Sequence, residues 1–359
     1  MLDDWDIFWR RRDLPPEAWR FMREHGFFGM IIPEAYGGLG FSARARSEVV
    51  RRLSIASAAA GVTVMVPNSL GAGELLLQSG SEVQKSWWLP RLADGRELPC
   101  FALTSEDAGS DAAAMTDEGV VAHGTYDGEP TLGIRLSFAK RYITLAPVAT
   151  VVGLAFKLRD PEGLLGDDLD LGITVALVPT DRPGVEVGRR HLVCLQAFQN
   201  GPIRGHDVFV PLDAVVGGRD GIGRGWPMLM SVLAGGRGVS LPSLAAAATT
   251  HAAHTTGAYA RVRAQFGRPI GRFEGVRARL ARLAGFAYEL DAARRFTCAG
   301  LDAGHAPPVV SAMMKVHATY RMRTAVDDAM DVHGGKAIID GPRNYLGNLH
   351  RALPLGVTV

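Results

Sequence analysis

The sequence predicts an α+β chain in three parts: a helical segment over residues 1–98, a β-rich segment over 99–222 and a helical bundle over 223–359. Two patterns and one bulk property lead there. Apolar residues recur at three- and four-residue intervals in the first hundred positions and again after Gly225-Trp-Pro, whereas short β-branched runs punctuated by Gly, Pro and Asp fill the middle. Hydrophobic residues make up 47 % and charged ones 21 %, with a formal charge of +2. That balance suits packed cores and excludes both a disordered tail and a charge-driven nucleic-acid binder.

In the first part, Trp19, Met22 and Phe27 predict a helix over Pro15 to Gly26, and Val49, Val50 and Leu53 predict another over Ala43 to Ala59. Between them an apolar run from Gly29 is broken by Pro33 and three glycines. Helices over Leu70 to Ser79 and Ser81 to Leu92 follow. In the middle part, Val120 to His123, Leu132 to Leu136, Val148 to Phe156, Ile173 to Pro179 and Val208 to Pro211 read as strands. The last part carries helical spacing over Met228 to Leu233, Leu241 to Phe266, Phe273 to Ala303 and Val309 to Val332, with short Gly- or Pro-containing joints.

Two stretches without formal charge, Leu53 to Gly73 and Gly238 to Ala260, are too rich in Ala, Ser, Thr, Gly and Asn to span a bilayer and are expected to be packed helices. Cys100, Cys194 and Cys298 are odd in number and widely separated, which encodes neither a disulfide framework nor a zinc site. The acidic start, Met1-Leu-Asp-Asp-Trp-Asp, lacks the marks of a signal or transit peptide. The expected location is the cytoplasm, with membrane association reserved for a full-length form.

Several motifs have bland readings. Gly38-Leu-Gly-Phe-Ser-Ala43 fits a dinucleotide fingerprint only formally, because Pro33 interrupts the preceding run and no acidic residue follows at the required distance. Asp327-Asp328-Ala-Met-Asp331 has the spacing of a magnesium–diphosphate motif, but lacks a second acidic cluster and is expected to be a solvated helix face. His251 and His254 have no third ligand, and no metal site is expected. By contrast, Phe101-Ala-Leu-Thr-Ser-Glu-Asp-Ala-Gly-Ser110-Asp111 runs an apolar strand into a turn of hydroxyls and backbone N–H groups, suited to a phosphate or a polar heteroaromatic ring. Lys140-Arg-Tyr-Ile-Thr144-Leu-Ala-Pro147 adds an aromatic and a hydroxyl, and Arg263-Ala-Gln-Phe-Gly-Arg-Pro-Ile270 a basic, glycine-containing turn.

In order and content these segments resemble the acyl-CoA dehydrogenase family of flavoproteins, whose pattern runs L/V-T-x-x-x-A-G-S-D, K-x-[WY]-I-T, R-x-x-F-G and a late G-G. The chain has Leu103-Thr104 to Asp111, Lys140 to Thr144, Arg263 to Gly267 and Gly334-Gly335. Gly26-Phe-Phe-Gly-Met-Ile-Ile-Pro, Tyr36-Gly-Gly-Leu, Pro67-Asn-Ser-Leu-Gly, Phe198-Gln-Asn-Gly-Pro and Gly271-Arg-Phe-Glu-Gly are similar to the long bacterial fatty acyl-CoA dehydrogenases in particular. The resemblance covers essentially the whole chain. It implies an N-terminal helical domain, a middle β-barrel-like domain and a C-terminal four-helix bundle. It further implies FAD shared with a neighbouring subunit of a homo-oligomer, a medium- or long-chain fatty acyl-CoA oxidised to the trans-2-enoyl-CoA in fatty acid β-oxidation, and an electron-transfer flavoprotein or similar acceptor.

Carried over by residue, the resemblance implies that Phe101, Leu103, Thr104, Gly109 and Ser110 line the flavin, with Thr104 at its pyrimidine edge and Ser110 also touching acyl-CoA. Tyr142 would pack on the isoalloxazine, Thr144 would donate to N5, and Ile143 between them would belong to the same cofactor-binding set. Arg263, Gln265 and Phe266 would reach the FAD diphosphate of an adjacent subunit, where an arginine fork suits phosphate oxygens. Asp331, Gly334 and Gly335 would lie near the adenine end, with Asp331 standing where many members have glutamine. Arg237 matches an arginine near the substrate.

The catalytic glutamate is the exception. In the long bacterial enzymes a segment resembling Arg351 to Val359 runs into a Glu-Gly pair, so the expected base would follow Val359, and the alternative family position is Gly236. Glu106, Asp107 and Glu274 are the remaining candidates. The expectation is a truncated dehydrogenase with impaired turnover; the competing readings are a catalytically silent flavin and acyl-CoA binder and, more remotely, a magnesium-dependent diphosphate enzyme using the Asp327 cluster.

Overall fold

The computed structural model describes residues 2–69, 71–305 and 308–358, without the side chains at 233–235 and 237. A one-turn π-helix over Asp6–Arg11 precedes α1 (Pro16–Glu24), whose proline sits at the first turn, where its missing N–H is not needed. Helix α2 (Ala43–Ala56) begins at Ser42, which accepts from the Ala45 N–H, and its first N–H groups at Ala43 and Arg44 also donate to the Asp302 carboxylate from the far end of the chain. Where one helix was expected over residues 43–59 there are two, because Ser57 adopts an extended conformation (φ −157°) before α3 (Ala58–Met65). The Ser57 hydroxyl donates instead to Asp4. Helix α4 (Ala72–Ser79) follows, and α5 (Glu82–Ala93) starts with a reciprocal Ser81–Gln84 capping box.

Gly38 has a packing role rather than a nucleotide-binding one: a Cβ there would overlap the Ile32 carbonyl, as the loop folds back with Gly40 N–H on Ile32 O and Leu39 N–H on Gly29 O.

The middle part is one seven-stranded sheet: β1 (Pro99–Ala102), β2 (Glu118–Tyr126), β3 (Glu129–Thr144), β4 (Val151–Arg159), β5 (Asp170–Pro179), β6 (Val185–Val187) and β7 (Asn200–Pro211). Its order is β1-β4-β2-β3-β7-β6, with β5 on the other edge of β4. One edge of β4 pairs in parallel first with β1 and then with β2, so the end of β1 lies near the start of β3's partner ladder. The β4 and β3 faces supply a core of Val152, Leu154, Phe156, Ile134 and Leu136, against which Phe8, Leu14, Met22 and Phe28 of the N-terminal part are packed. All five expected strands are present; β3 extends eight residues past its expected end, and β6 is an addition.

The C-terminal bundle consists of α6 (Gly225–Val262), α7 (Glu274–Asp302), α8 (Pro308–His333) and α10 (Gly347–Thr358), with a short α9 (Gly335–Ile338) between the last two. The two helices expected over 228–266 are a single 38-residue helix that runs through Pro242. Buried alanines at 245, 246 and 252 of α6 face Ala318, Ala325 and Ala329 of α8 across two small apolar cores, and small side chains let the helices approach closely. The Asp327 cluster is a solvated face only in part: Asp327 and Asp331 are exposed, as expected, whereas Asp328 is buried and takes hydrogen bonds of 2.6 Å from Arg279 and Arg282; Asp331 pairs with Arg279 at 2.9 Å. The three free cysteines form no disulfide, and no described helix is long and apolar enough to cross a membrane.

At one bundle end an aromatic cluster joins three helices. The His333 ring stacks on Tyr259 with centroids 4.2 Å apart and meets Tyr345 edge-on at 5.5 Å, and Lys336 lies over both tyrosines at 5.0 and 4.7 Å. The buried His333 Nε2 has no hydrogen-bond partner, and burial, reinforced by the Lys336 charge, pushes its pKa down to about 4. The unfolded chain therefore takes up this proton first, so the His333 contribution to stability is complete above the unfolded value of about 6.5 and is lost as pH falls from there toward 4. The melting temperature of the wild type should decline over that window more steeply than that of His333→Gln, although the variant starts lower for want of the ring stack. Parallel declines in a pH series of thermal melts would contradict the neutral, buried assignment.

Candidate flavin site

The strand-to-turn segment at 101–111 and the end of β3 come together. After Ala102 the chain leaves β1 and forms a bridge from Ser105 to Lys140, with the Arg141 N–H donating to the Thr104 carbonyl at 3.0 Å. The turn closes on itself through Ser105 N–H to Ala108 O, and the Arg141 guanidinium reaches across to Glu106 at 2.8 Å. Thr104 is thus tied to the residue next to Tyr142. Phe101, Leu103 and Thr104 are half-buried, whereas Gly109 and Ser110 stand exposed at the turn.

Tyr142 occupies a bulge. Between Lys140 and Ile143 the register of β3 against β7 slips, three β3 residues facing two, and Tyr142 takes a left-handed φ of +62°. For an aromatic residue this conformation costs about 1–3 kcal/mol and persists only where neighbours over-determine it. Here the neighbour is Asn200, whose amide donates to Tyr142 O at 2.8 Å and to Thr144 Oγ1 at 3.2 Å. Asn200 Oδ1 in turn lies 3.0 Å from His191 Nδ1, and the His191 ring flanks Tyr142 at 5.4 Å. The result is a tyrosine ring held 58 % exposed beside a threonine hydroxyl that already accepts one bond and keeps its own hydrogen for an outside acceptor. Ile143 points the other way, into the core.

The chemistry of this donor set fits an isoalloxazine: an exposed aromatic face, two threonine hydroxyls, and a turn whose exposed Gly109 and Ser110 offer backbone and hydroxyl groups. The roles of Asn200 and His191 were not assigned from the sequence, although Asn200 lies inside the Phe198-Gln-Asn-Gly-Pro motif; its contacts cross from β7 to β3 and need the sheet to become visible.

The other expected residues gather at the bundle end. Arg263 follows α6 and leads into a two-stranded hairpin, β8 (Ala264–Gln265) and β9 (Arg268–Pro269). Phe266 and Gly267 both have positive φ, +53° and +74°, as a two-residue type I′ turn requires. Phe266 is 93 % exposed, Arg263 and Gln265 are exposed too, and Arg263 makes no ion pair among the described residues. Because the Arg263 N–H caps Tyr259 O and Tyr259 stacks on His333, this hairpin lies at the same end as Gly334-Gly335, where Gly334 has φ +59°. Asp331 is already engaged by Arg279. No hydrogen bond or ion pair links this group to the Thr104–Tyr142 group among the described residues. The Arg237 side chain lies outside the described residues. Glu106, Asp107 and Glu274 are all exposed, Glu106 being tied to Arg141.

Known proteins share this architecture. The acyl-CoA dehydrogenase N-terminal, middle and C-terminal domain models match residues 1–96, 100–208 and 223–356. A probable acyl-CoA dehydrogenase of Bacillus subtilis is 30 % identical over 329 residues, covering 90 % of this chain and 80 % of that protein. A probable acyl-CoA dehydrogenase of Mycobacterium tuberculosis is 29 % identical over 93 % of the chain, which spans about half (49 %) of that relative's length. Among solved structures, an acyl-CoA dehydrogenase from Bacillus anthracis complexed with FAD has the same fold, with a TM-score of 0.80 at 22 % identity over 94 % of this chain and 57 % of that one. With its helical, β and bundle parts matched in order by the three domain models, and a relative matched along four-fifths of its own length, the chain belongs to the acyl-CoA dehydrogenase family.

Proposed function

We propose that this chain binds FAD non-covalently and a medium- or long-chain fatty acyl-CoA, and serves the FAD-dependent α,β-dehydrogenation of that thioester to the trans-2-enoyl-CoA in β-oxidation, passing electrons to an electron-transfer flavoprotein or similar acceptor. One observation carries the reading: the bridge from Ser105 to Lys140 joins the Thr104 turn to the Tyr142 bulge, so that a largely exposed ring and the threonine side chains of the turn and of β3 belong to one attached unit. Bound FAD would supply the hydride acceptor. Thr144, oriented by Asn200, would donate toward N5, Thr104 would meet the pyrimidine edge, and Tyr142 would cover the ring face. Ser110, exposed on the same turn, is free to meet the acyl-CoA.

We assign the general base to none of Glu106, Asp107 and Glu274. A carboxylate that removes an α-proton is raised toward working pH by burial, and these three are exposed. Positioned proton transfer typically contributes about 10²–10⁴-fold, so residues 1–359 alone are expected to bind both ligands and reduce the flavin slowly. A silent flavin and acyl-CoA binder is the limiting case of that reading. The test is anaerobic mixing of FAD-loaded chain with palmitoyl-CoA, with and without an added Glu-Gly after Val359. Slow bleaching without the pair and faster bleaching with it is expected; equal rates would return the base to residues 1–359, and no flavin uptake at all would refute the function.

The assembly is proposed as a homo-oligomer. Val309, Met313, Val316 and Tyr320 form an exposed apolar stripe along α8 at four- and three-residue spacing, too continuous to be left to water, and at the bundle end Arg263 is exposed without an ion pair among the described residues while Phe266, which meets Phe273 edge-on, is 93 % exposed. Arg263 and Gln265 would then reach the diphosphate of a neighbour's FAD, with Gly334-Gly335 near its adenine. Light scattering should show an oligomer that Val316→Asp with Tyr320→Asp dissociates, with loss of bound FAD. A monomer retaining full FAD occupancy would contradict the shared site.

A further inference from the structure

Beneath the Thr104 turn lies an ion pair sealed from water. The side chains of Lys140 and Asp117 are 0 % and 2 % exposed, and Lys140 Nζ donates to Asp117 Oδ2 at 2.6 Å. Nζ also donates to the Leu103 carbonyl at 2.9 Å and to Ser105 Oγ at 3.3 Å, with Met115 Sδ at 3.9 Å. Asp117 completes the cluster by accepting from the Ser105 hydroxyl and, through Oδ1, from the Ala139 N–H at 2.8 Å. Met115 apart, every donor and acceptor of the cluster belongs to the turn, to the residue just before β2 or to β3.

Such a pair is a poor stability device. Desolvating each ion costs several kcal/mol, and well-packed apolar residues in its place are often neutral or better. Burial lowers the Lys140 pKa and the Asp117 charge opposes that shift, so the ammonium depends on its partner. What an apolar pair would lack is direction. Lys140 grips the residues on both sides of Thr104, the Leu103 carbonyl and the Ser105 hydroxyl, while the next residue, Arg141, holds the Thr104 carbonyl. The same β3 strand then carries Tyr142 and Thr144.

We propose that Lys140, acting through Asp117, is a positioning residue that sets the Thr104 turn in register with Tyr142 and Thr144, and thereby fixes the fit and the polar surroundings of the isoalloxazine. The proposal rests on the flavin reading above, and it concerns residues that do not touch the ring. Reconstitution of the wild-type chain with FAD checks that reading first; if no flavin is taken up, both fall.

The test compares wild type, Lys140→Arg and the apolar double variant Lys140→Met/Asp117→Leu by FAD titration, visible absorption, flavin midpoint potential and thermal melting. The double variant should melt near the wild type yet bind FAD roughly tenfold more weakly or worse, with a shifted flavin band and an altered potential. A folded double variant with wild-type affinity, spectrum and potential would overturn the proposal, leaving the pair a packing feature. If the double variant does not fold, Lys140→Arg decides: the longer planar fork keeps the charge but cannot reproduce the three-way grip, so a changed spectrum and potential support the proposal and unchanged ones overturn it.

Discussion

Everything at the proposed flavin surface depends on the attachment of one turn to one strand. The chain leaves β1 at Ala102, and without the Ser105–Lys140 bridge, the Arg141–Thr104 hydrogen bond and the buried Lys140–Asp117 pair, the 103–111 segment would be a surface loop with no fixed relation to Tyr142. The β4 strand makes this possible by pairing in parallel with β1 and β2 in succession, which brings Asp117 beneath the turn. The Tyr142 bulge is the complementary constraint. Its unfavourable φ is held by an Asn200 amide that also orients Thr144, so the strain and the presentation of the hydroxyl share one cause.

The two halves of the expected cofactor site differ in kind. Thr104, Tyr142 and Thr144 are built by long-range pairing within the sheet and come pre-organised. Arg263, Gln265 and Phe266 sit on a two-residue hairpin whose turn geometry is local and whose side chains face outward. The bundle end that carries them is stiffened by the Tyr259–His333–Tyr345 cluster rather than by a large apolar core. A hairpin whose Arg263 makes no ion pair among the described residues and whose Phe266 ring, in edge contact with Phe273, is otherwise exposed is the form expected of a surface that completes its site on another molecule.

Much of this was legible in the sequence where the cause is local. Alternation and turn residues marked the strands, the three- and four-residue periodicity marked the bundle, and the order of four short motifs led to the family. The departures have long-range causes. Ser57 breaks a helix because its hydroxyl serves Asp4, 53 residues away. The break expected between Leu233 and Leu241 does not occur, because α2 and α8 pack along α6 and outweigh the local penalty of the glycines there. Helix α10 was not foreseen, with Pro354 inside it and its packing supplied by α8. In the acidic Asp327–Asp331 run the expected solvated face holds for Asp327 and Asp331 and fails at Asp328, which Arg279 and Arg282 of α7 cover. Lys140 was visible as a motif letter, but its partner Asp117 lies 23 positions away, just before β2.

We propose that the turn at 101–110 and the β3 end at 140–144 form the flavin platform, with 263–266 and 331–335 closing it in an assembly. Hydrogen–deuterium exchange of the chain with and without FAD is the direct test. FAD-dependent protection is expected in those four segments, with the Asp327–Asp328 helix face unchanged. Protection confined to other segments, or FAD binding that leaves 101–110 and 140–144 exchanging as before, would contradict it.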